Sequence, residues 1–249
     1  MVVGWLICKK LLRRILVSIR YITVSILPEE LQLRIWRRRL VRIIRTDFST
    51  VISHLIQDGD VIIDVGANVG SFTQIILERF PNCKAYLFEP VPKYYDFCRR
   101  NFSGFGNVIV ENYALSDKKG NATIYLDKTN LGWNTVIKEK TTRGMKPLGI
   151  KEITFDEYAR NGLDKIHLIK IDVEGAEFSV LKGMKETLER LDKKPYILLE
   201  VGWGKGNHPF WDQEVAVFEW LFDNGYERFD YDGISSTKDV IIAPKTRDT

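Results

Sequence analysis

The chain has 249 residues, 45% of them hydrophobic, and a formal net charge of +4. This length and composition predict a globular protein with one domain and extensions. The three cysteines, Cys8, Cys83 and Cys98, are odd in number and form no C-x-x-C pair. This pattern argues against a disulfide framework or a zinc ribbon and favours a reducing compartment.

The positive charge is confined to the start of the chain. Residues 1–46 contain 11 Lys and Arg against two Glu, a net charge of +9, so the rest of the chain carries −5. The basic balance therefore belongs to the N-terminal segment, which argues against a nucleic-acid groove elsewhere. We predict an amphipathic helical extension over 1–46, a domain over 47–249 and no nucleic-acid partner.

Apolar residues lie at helical spacing between the cations of this segment, and no apolar stretch is long enough to cross a bilayer. The basic cluster from Lys9 to Arg14 lies where the apolar region of a signal peptide should be, so we expect neither cleavage nor secretion. One interpretation is a peripheral helix on an anionic membrane surface, with Trp5 and Trp36 near the interface. The other is a pair of helices, separated near Pro28, that cover one face of the domain. The predicted location is cytoplasmic, with or without attachment to the cytoplasmic face of a membrane.

The domain begins with a predicted helix over 47–57 and a β-branched run, Val61–Val65, that is typical of a strand buried on both faces. A short turn rich in glycine follows, and the apolar positions of 72–77 fit a helix. Strand, tight turn and helix in this order predict a ligand-binding loop.

Each position of this loop has a predicted role. Gly66 can adopt a backbone conformation closed to other residues, and Gly70 lets the start of the helix pack closely. The free amides of the loop, which includes Ala67 and Asn68, point toward a ligand over the helix N-terminus. Asp64 is then free to contact that ligand.

The spacing of this loop distinguishes it from two common nucleotide-binding loops. A dinucleotide fingerprint would read G-x-G-x-x-G, but position 68 is Asn, and no Lys follows Gly70 as a triphosphate loop would require. The form acid-x-Gly-x-x-x-Gly instead resembles motif I of class I S-adenosylmethionine-dependent methyltransferases, in which the acid suits the ammonium group of the ligand. The alternative is an ordinary glycine-rich turn.

A second buried strand, Lys84–Phe88, ends in Glu89-Pro90. An acid at this position suits the two hydroxyls of a ribose, since a carboxylate can accept both protons. The alternative is a solvated strand end. A helix over 93–102 and a third strand over 107–111 follow, and the residues just past that strand are candidate adenine contacts or a plain polar turn: Asn112, Ala114, Ser116 and Asp117.

The next stretch has a strand over 122–126 and then few core signals over 127–150, which predicts a mobile segment near the substrate. Trp133 in this segment is able to stack on a sugar face or to serve as a hydrophobic plug.

A further buried strand ends at Asp172, and Glu177 begins a predicted amphipathic helix that continues to Leu191. Because parallel strands present ligands at their carboxyl ends, Asp64, Glu89 and Asp172 should converge at one edge of the sheet. A fifth strand over 196–199 adds Glu200 to this edge. A helix over 212–222 and a final antiparallel pair of strands complete the predicted fold.

Together these stretches resemble the FkbM family of methyltransferases. The similarity lies in IDVGANVG at 63–70, FEP at 88–90, ALSD at 114–117 and IKIDVEGAE at 169–177. It implies a Rossmann-like α/β fold with a mostly parallel seven-stranded sheet and helices on both faces. It also implies S-adenosyl-L-methionine as the cofactor and a hydroxyl of a sugar, glycan or glycolipid as the methyl acceptor.

Methyl transfer to an alcohol needs a group that removes the hydroxyl proton while the oxygen is held opposite the sulfonium. Asp172 and His208 are the candidate bases, and Glu174 is a candidate assistant. Together with Glu200, these residues also have the oxygen-rich character of a magnesium or calcium site, but we expect no metal because no ligand spacing is decisive.

Two other functions remain open at this stage. A methyltransferase for a small natural product or a protein side chain would share every cofactor residue with a sugar methyltransferase. A non-catalytic module that binds glycan or membrane on the same fold would have a blocked cofactor pocket or lack its acids.

Overall fold

A computed structural model describes residues 27–47, 49–127, 131–142, 144–160, 162–200, 211–229 and 239–245. His208 and the first 26 residues lie outside these ranges. No helix in the described parts of the chain is long and apolar enough to span a bilayer.

The chain enters the domain through two helices, α1 (Glu29–Asp47) and α2 (Ser49–Leu55). Alternating strands and helices follow, as the buried β-branched runs predict: β1 (Val61–Val65), α3 (Ser71–Arg79), β2 (Lys84–Phe88), α4 (Pro92–Asn101) and β3 (Val108–Glu111).

The middle of the chain forms a small second sheet from β4 (Ala114–Leu115), β5 (Gly120–Leu126) and β6 (Lys146–Ile153), in the order β4-β6-β5. Helix α5 (Phe155–Ala159) follows. The prediction of a mobile segment with few core signals over 127–150 is wrong at its C-terminal end, because β6 pairs antiparallel with β5 along the whole length of β5. This pairing buries Ile124 and Ile150 in one cluster.

The last part of the chain returns to the main sheet. Its elements are β7 (Leu168–Ile171), α6 (Glu177–Lys182), α7 (Lys185–Arg190), β8 (Tyr196–Glu200), α8 (Trp211–Asp223), β9 (Tyr226–Phe229) and β10 (Asp239–Pro244). The main sheet has seven strands in the order β3-β2-β1-β7-β8-β10-β9, and only β10 and β9 run antiparallel to their neighbours. The predicted fold class is confirmed.

Both faces of the main sheet are covered. Side chains such as Ile63 and Ile169 pack against α5 to α8 on one face, whereas Ile62 and Leu168 pack against α2 and α3 on the other. Burial on both faces explains why these strands are continuous apolar runs rather than alternating ones.

The single helix predicted from Glu177 to Leu191 is wrong, because the structure breaks it between α6 and α7. A Cβ atom on Gly183 would lie 2.0 Å from the carbonyl oxygen of Ser116, so the chain passes β4 too closely for a side chain. The carboxylate of Asp156 then accepts hydrogen bonds from the amides of Glu186 and Thr187, which satisfies the first turn of the new helix.

Candidate functional site

The turn after β1 is held against two neighbouring strand ends. Gly66 has a φ of 73°, and the amides of Gly66 and Ala67 both donate to the carbonyl oxygen of Phe88, at 3.0 and 3.1 Å. A Cβ atom on Gly66 would lie 2.0 Å from the carbonyl oxygen of Asp172. Only glycine therefore fits where the ends of β1, β2 and β7 meet.

Gly70 ends this turn with a φ of 71°. A Cβ atom there would lie 2.5 Å from a ring carbon of Phe102 and 3.2 Å from the sulfur of Cys98. The prediction that Gly70 allows the start of the helix to pack closely is thus confirmed.

Asp64 is engaged with the protein in this structure, and its predicted contact with a ligand stays a prediction. Its side chain is fully buried (0% exposed), and it accepts a hydrogen bond of 2.7 Å from the hydroxyl of Thr73. Lys170 Nζ lies 3.4 Å from its other oxygen. Both partners belong to the protein, so the carboxylate stabilises the turn, and Asp64 is not among the residues that line the cavity at the carboxyl edge of the sheet.

Lys170 is a site residue that the sequence analysis did not identify. Its ammonium group lies between Asp64 and Asp172, at 3.3 Å from the latter, and donates to the carbonyl oxygen of Gly66 at 3.1 Å. Burial alone would lower the pKa of Lys170, but the two carboxylates outweigh it and raise the pKa. The signal in the sequence was a lone cation in the middle of a buried strand.

Glu89 follows β2 and is 4% exposed. Its two oxygens accept hydrogen bonds from the amides of Asn68, at 2.7 Å, and Val91, at 2.8 Å. Burial raises the pKa of Glu89 to about 7, although these amides and the charge of Lys170 oppose the rise. The predicted acid is therefore fixed in position directly beside the turn after β1.

A cavity of about 300 Å³ opens at the carboxyl edge of the sheet. Six of the predicted site residues line it: Gly66, Asn68, Glu89, Ala114, Asp172 and Glu174. Two buried polar atoms, Trp36 Nε1 and Asn68 Oδ1, have no hydrogen-bond partner among the described residues, and both residues line this cavity. The cavity therefore offers one unused donor and one unused acceptor to a bound molecule.

Three predicted adenine contacts lie outside this cavity. Asn112 donates to the carbonyl oxygens of Glu89 and Pro90, at 2.9 and 3.1 Å, and so supports the turn after β2 instead. Asp117 forms an ion pair of 2.9 Å with Lys182, which holds the pKa of Asp117 below its usual value despite partial burial. The carbonyl of Ser116 packs against Gly183. These three residues therefore contact other parts of the domain, whereas the two residues of β4 line the cavity.

The turn after β7 is stabilised from within. Glu177 is buried and accepts hydrogen bonds from the amides of Val173, at 3.2 Å, and Gly175, at 3.1 Å. Burial raises the pKa of Glu177 to about 7, although these amides oppose the rise. Glu174 takes a positive φ of 59°, and its carbonyl oxygen accepts from the hydroxyl of Thr135 at 2.9 Å. The turn therefore presents Asp172 and Glu174 to the cavity in a fixed conformation.

The segment between β5 and β6 contributes part of the rim. The carbonyl oxygen of Leu131 accepts hydrogen bonds from Asn68 at 2.9 Å, Tyr94 at 3.2 Å and Asn134 at 3.0 Å. Trp133 lines the cavity while 45% of it remains exposed. The rim is thus anchored to the ligand-binding loop on one side and open to solvent on the other.

Helix α1 supplies another wall that the sequence analysis did not predict. Trp36 and Leu40, one helical turn apart, line the cavity, and Leu33 and Val41 are buried on the same helix. Of the two interpretations of the N-terminal segment, packing on the domain is therefore confirmed for this face of α1. The predicted domain boundary at residue 46 falls within α1.

Two parts of the predicted chemistry remain predictions. His208 lies outside the described residues, as does the side chain of Glu200. Among the residues that the structure describes, no three His, Cys, Asp or Glu are grouped so that they could hold a metal ion.

Comparisons with known proteins agree with this geometry. The pattern of the methyltransferase FkbM domain matches residues 64–228. The hexuronic acid methyltransferase AglP of Haloferax volcanii is 31% identical over 169 residues, which are 67% of this chain and 66% of that protein. The 2-O-methyltransferase NoeI of Sinorhizobium fredii is 29% identical over 154 residues, 56% of this chain and 63% of that protein. The matched stretches thus span slightly less than two thirds of either relative.

The fold has a counterpart among solved structures. The crystal structure of a candidate rRNA methylase from Clostridium thermocellum superposes with a TM-score of 0.50 at 10% identity and covers 80% of this chain and 93% of that one. This likeness concerns the fold alone. The match over residues 64–228 shows that the chain belongs to the FkbM family of S-adenosylmethionine-dependent methyltransferases.

Proposed function

We propose that this protein transfers the methyl group of S-adenosylmethionine to a hydroxyl group of a sugar, glycan or glycolipid. The observation that carries the proposal is the cavity at the carboxyl edge of the sheet, bounded by the Gly66 turn, the Glu89 carboxylate and the turn from Asp172 to Glu174. Family membership and the activities for which the two relatives are named support the same reaction.

The residues present fit the cofactor. Asn68 Oδ1 is a buried acceptor without a partner and suits an ammonium or hydroxyl group, whereas Trp36 Nε1 is a buried donor and suits a carboxylate or hydroxyl oxygen. Each oxygen of Glu89 uses only one lone pair on a backbone amide, so the carboxylate retains capacity for the two ribose hydroxyls. When bound, the cofactor supplies an electrophilic methyl group.

The sugar is the proposed acceptor because both relatives carry names that fit it. One is a hexuronic acid methyltransferase and the other a 2-O-methyltransferase. In this chain, Trp133 presents an indole at the cavity rim, and an aromatic face is suited to pack against the apolar face of a sugar ring. We therefore assign the acceptor to the side of the cavity formed by Trp133 and Asp172.

The proposed reaction is an in-line displacement in which a bond forms between the acceptor oxygen and the methyl carbon. The carbon–sulfur bond breaks and its electron pair stays on sulfur, while the hydroxyl proton passes to a base. Asp172 is suited to accept this proton or to orient the hydroxyl, because its side chain is 49% exposed and is held by Lys170. Glu174 lies on the same turn, and His208 remains the alternative base.

Cofactor binding tests the first half of the proposal. We expect S-adenosylhomocysteine to bind the wild-type protein in a calorimetric titration. Glu89→Ala should weaken that binding by about tenfold or more, because the carboxylate that accepts hydrogen bonds from the ribose hydroxyls is lost. Glu189→Ala removes an exposed carboxylate from α7 and should leave the affinity unchanged. Equal affinity in both variants would contradict the assignment of Glu89.

Product analysis tests the second half. Incubation with S-adenosylmethionine and oligosaccharides that contain uronic acid should add methyl groups, which mass spectrometry can locate on a hydroxyl oxygen. Cofactor binding with transfer only to peptides or small natural products would retain the enzyme class and reject the sugar.

A further inference from the structure

A second concave surface lies on another side of α1. Trp36 and Leu40 of this helix line the cofactor cavity, whereas Arg37 and Val41, one position further along, line a separate groove of about 590 Å³. Six polar side chains from α1, α3 and α4 surround this groove: Arg34, Arg37, Arg38, Arg42, Gln74 and Asn101. Four guanidinium groups in one groove form a strongly positive surface.

Arg37 occupies the inner part of this groove. Its guanidinium lies over the ring of Phe102 at 5.0 Å and that of Phe97 at 5.9 Å. Its Nε is buried and has no hydrogen-bond partner among the described residues. No carboxylate of the described residues lies within ion-pair distance of Arg37. Burial lowers the pKa of Arg37. A cation removed from water is costly unless an anion compensates it fully, so this buried guanidinium can accept a further anionic partner.

The surrounding carboxylates offset this charge only in part. The attraction of Glu78 opposes the lowering of the Arg37 pKa by burial but does not outweigh it, and Glu78 also accepts a hydrogen bond of 2.8 Å from Gln74. Glu30 pairs with Arg34 at 3.2 Å, but it also binds Arg100 at 2.7 Å and so is shared between two cations. Arg38 has no carboxylate partner in the part of the chain that the structure describes. Residues 1–26 contain no Asp or Glu, so the preceding segment cannot supply an anion. The carboxylates of Glu30 and Glu78 are fewer than the four guanidinium groups of the groove, so positive charge remains in excess.

We propose that this groove binds a phosphate-bearing ligand. Guanidinium groups match the oxygens of a phosphate with paired hydrogen bonds, and convergence of several of them is the usual means of holding a phosphate or diphosphate. The side-chain amides of Gln74 and Asn101 line the groove as well. Each donates one N–H within the protein, to Glu78 and to the carbonyl oxygen of Phe97, and has a second N–H for a ligand. The phosphate can belong to a lipid headgroup at a membrane surface or to a soluble phosphate ester.

Arginine substitutions on α1 provide a matched test. Arg38 lines the groove, whereas Arg39 lies over the ring of Trp36 at 5.9 Å and does not line the groove. In phosphate-free buffer, inorganic pyrophosphate should bind the full chain, and Arg38→Gln should weaken its binding about tenfold. Arg39→Gln has the same change in net charge and should stay within about twofold of wild type. Retained binding of S-adenosylhomocysteine verifies that both variants fold.

Thermal unfolding of Arg37→Met supplies an independent measurement. Pyrophosphate should raise the melting temperature of the wild type but not that of this variant. In the absence of phosphate the variant should melt no lower than the wild type, since it loses a buried and incompletely compensated charge and keeps most of the packing on Phe102. A large loss of stability in phosphate-free buffer would instead make Arg37 a structural residue and overturn the proposal.

Vesicles distinguish the two sources of phosphate. If a lipid is the ligand, the full chain should sediment with vesicles that contain phosphatidic acid, Arg38→Gln should reduce this more than Arg39→Gln, and pyrophosphate should compete. If the ligand is soluble, pyrophosphate should bind while vesicle binding is the same in both variants. Absence of pyrophosphate binding, or an equal effect of both variants on it, would overturn the proposal.

Discussion

At the scale of single residues, the feature on which the cofactor turn depends is the charge sequence Asp64–Lys170–Asp172. Lys170 Nζ lies 3.4 Å from one carboxylate and 3.3 Å from the other. The first carboxylate is fully buried and the second is half-exposed at the cavity. One cation therefore links a buried structural acid, Asp64, to a candidate catalytic acid at the cavity, Asp172.

Removal of this cation should be far more costly than removal of a surface cation. Lys170→Met leaves the buried Asp64 without a counter-charge, so we expect the free energy of unfolding to fall by about 3–5 kcal/mol. Lys182→Met removes an exposed partner of Asp117 and should cost less than about 1 kcal/mol. Urea denaturation at neutral pH measures both values. Similar losses in the two variants would contradict the role assigned to Lys170.

At the scale of secondary-structure elements, α1 connects two surfaces. One face provides Trp36 and Leu40 to the cofactor cavity, and the neighbouring face provides arginines to the groove. The sequence of α1 predicted an amphipathic helix but not which surface it covers, because helical spacing identifies an apolar face without identifying its partner. A variant that deletes the basic segment would therefore also remove a wall of the cavity.

The contribution of α1 to cofactor binding can be tested with one substitution. Trp36→Phe removes the indole N–H and keeps an aromatic ring, so S-adenosylhomocysteine should bind about fivefold more weakly. Trp220→Phe makes the same change on α8, where the ring lies beside Lys185, and should leave binding unchanged. Calorimetric titration compares the two variants. Unaltered affinity in Trp36→Phe would show that the ligand does not use this donor.

At the scale of the whole molecule, the strand and helix order could be predicted because buried parallel strands are apolar runs that end in acids. The elements that could not be predicted depend on contacts between distant segments. Gly183 interrupts a helical pattern because it meets Ser116, and β6 forms because β5 is available to pair with it. The buried position of Asp64 depends on its contacts with Lys170 and Thr73, which lie on other elements.

The stability of the whole molecule should depend on pH through two buried carboxyl groups, Glu89 and Glu177, since burial raises the pKa of each to about 7. A carboxyl whose pKa is raised in the folded state favours folding while it is protonated. Its stabilising contribution is complete below the unfolded pKa of about 4.5 and is lost as the pH rises to about 7. We therefore expect the free energy of unfolding to decrease between pH 5 and pH 8.

Glu177→Gln tests this dependence with little change in structure. Both backbone amides donate to the same oxygen of Glu177, so the amide side chain can keep both hydrogen bonds. Relative to wild type, the variant should gain about 1–3 kcal/mol between pH 5 and pH 8. Glu189→Gln on the surface of α7 is the control and should follow the wild-type profile. Parallel profiles for all three proteins would contradict the raised pKa of Glu177.

The two anchors of the rim have a consequence for how substrate preference can diverge. Leu131 is tied to the cofactor loop through Asn68, and Thr135 is tied to the turn after β7 through Glu174. Three residues lie between these anchors, and all of them line the cavity. The side chain of Asn134 donates to Leu131, whereas neither anchor uses Gly132 or the side chain of Trp133 on the proposed acceptor side. Mutations confined to positions 132 and 133 are thus able to reshape acceptor choice while the donor pocket persists, which makes this short stretch the natural place to diversify a library of variants.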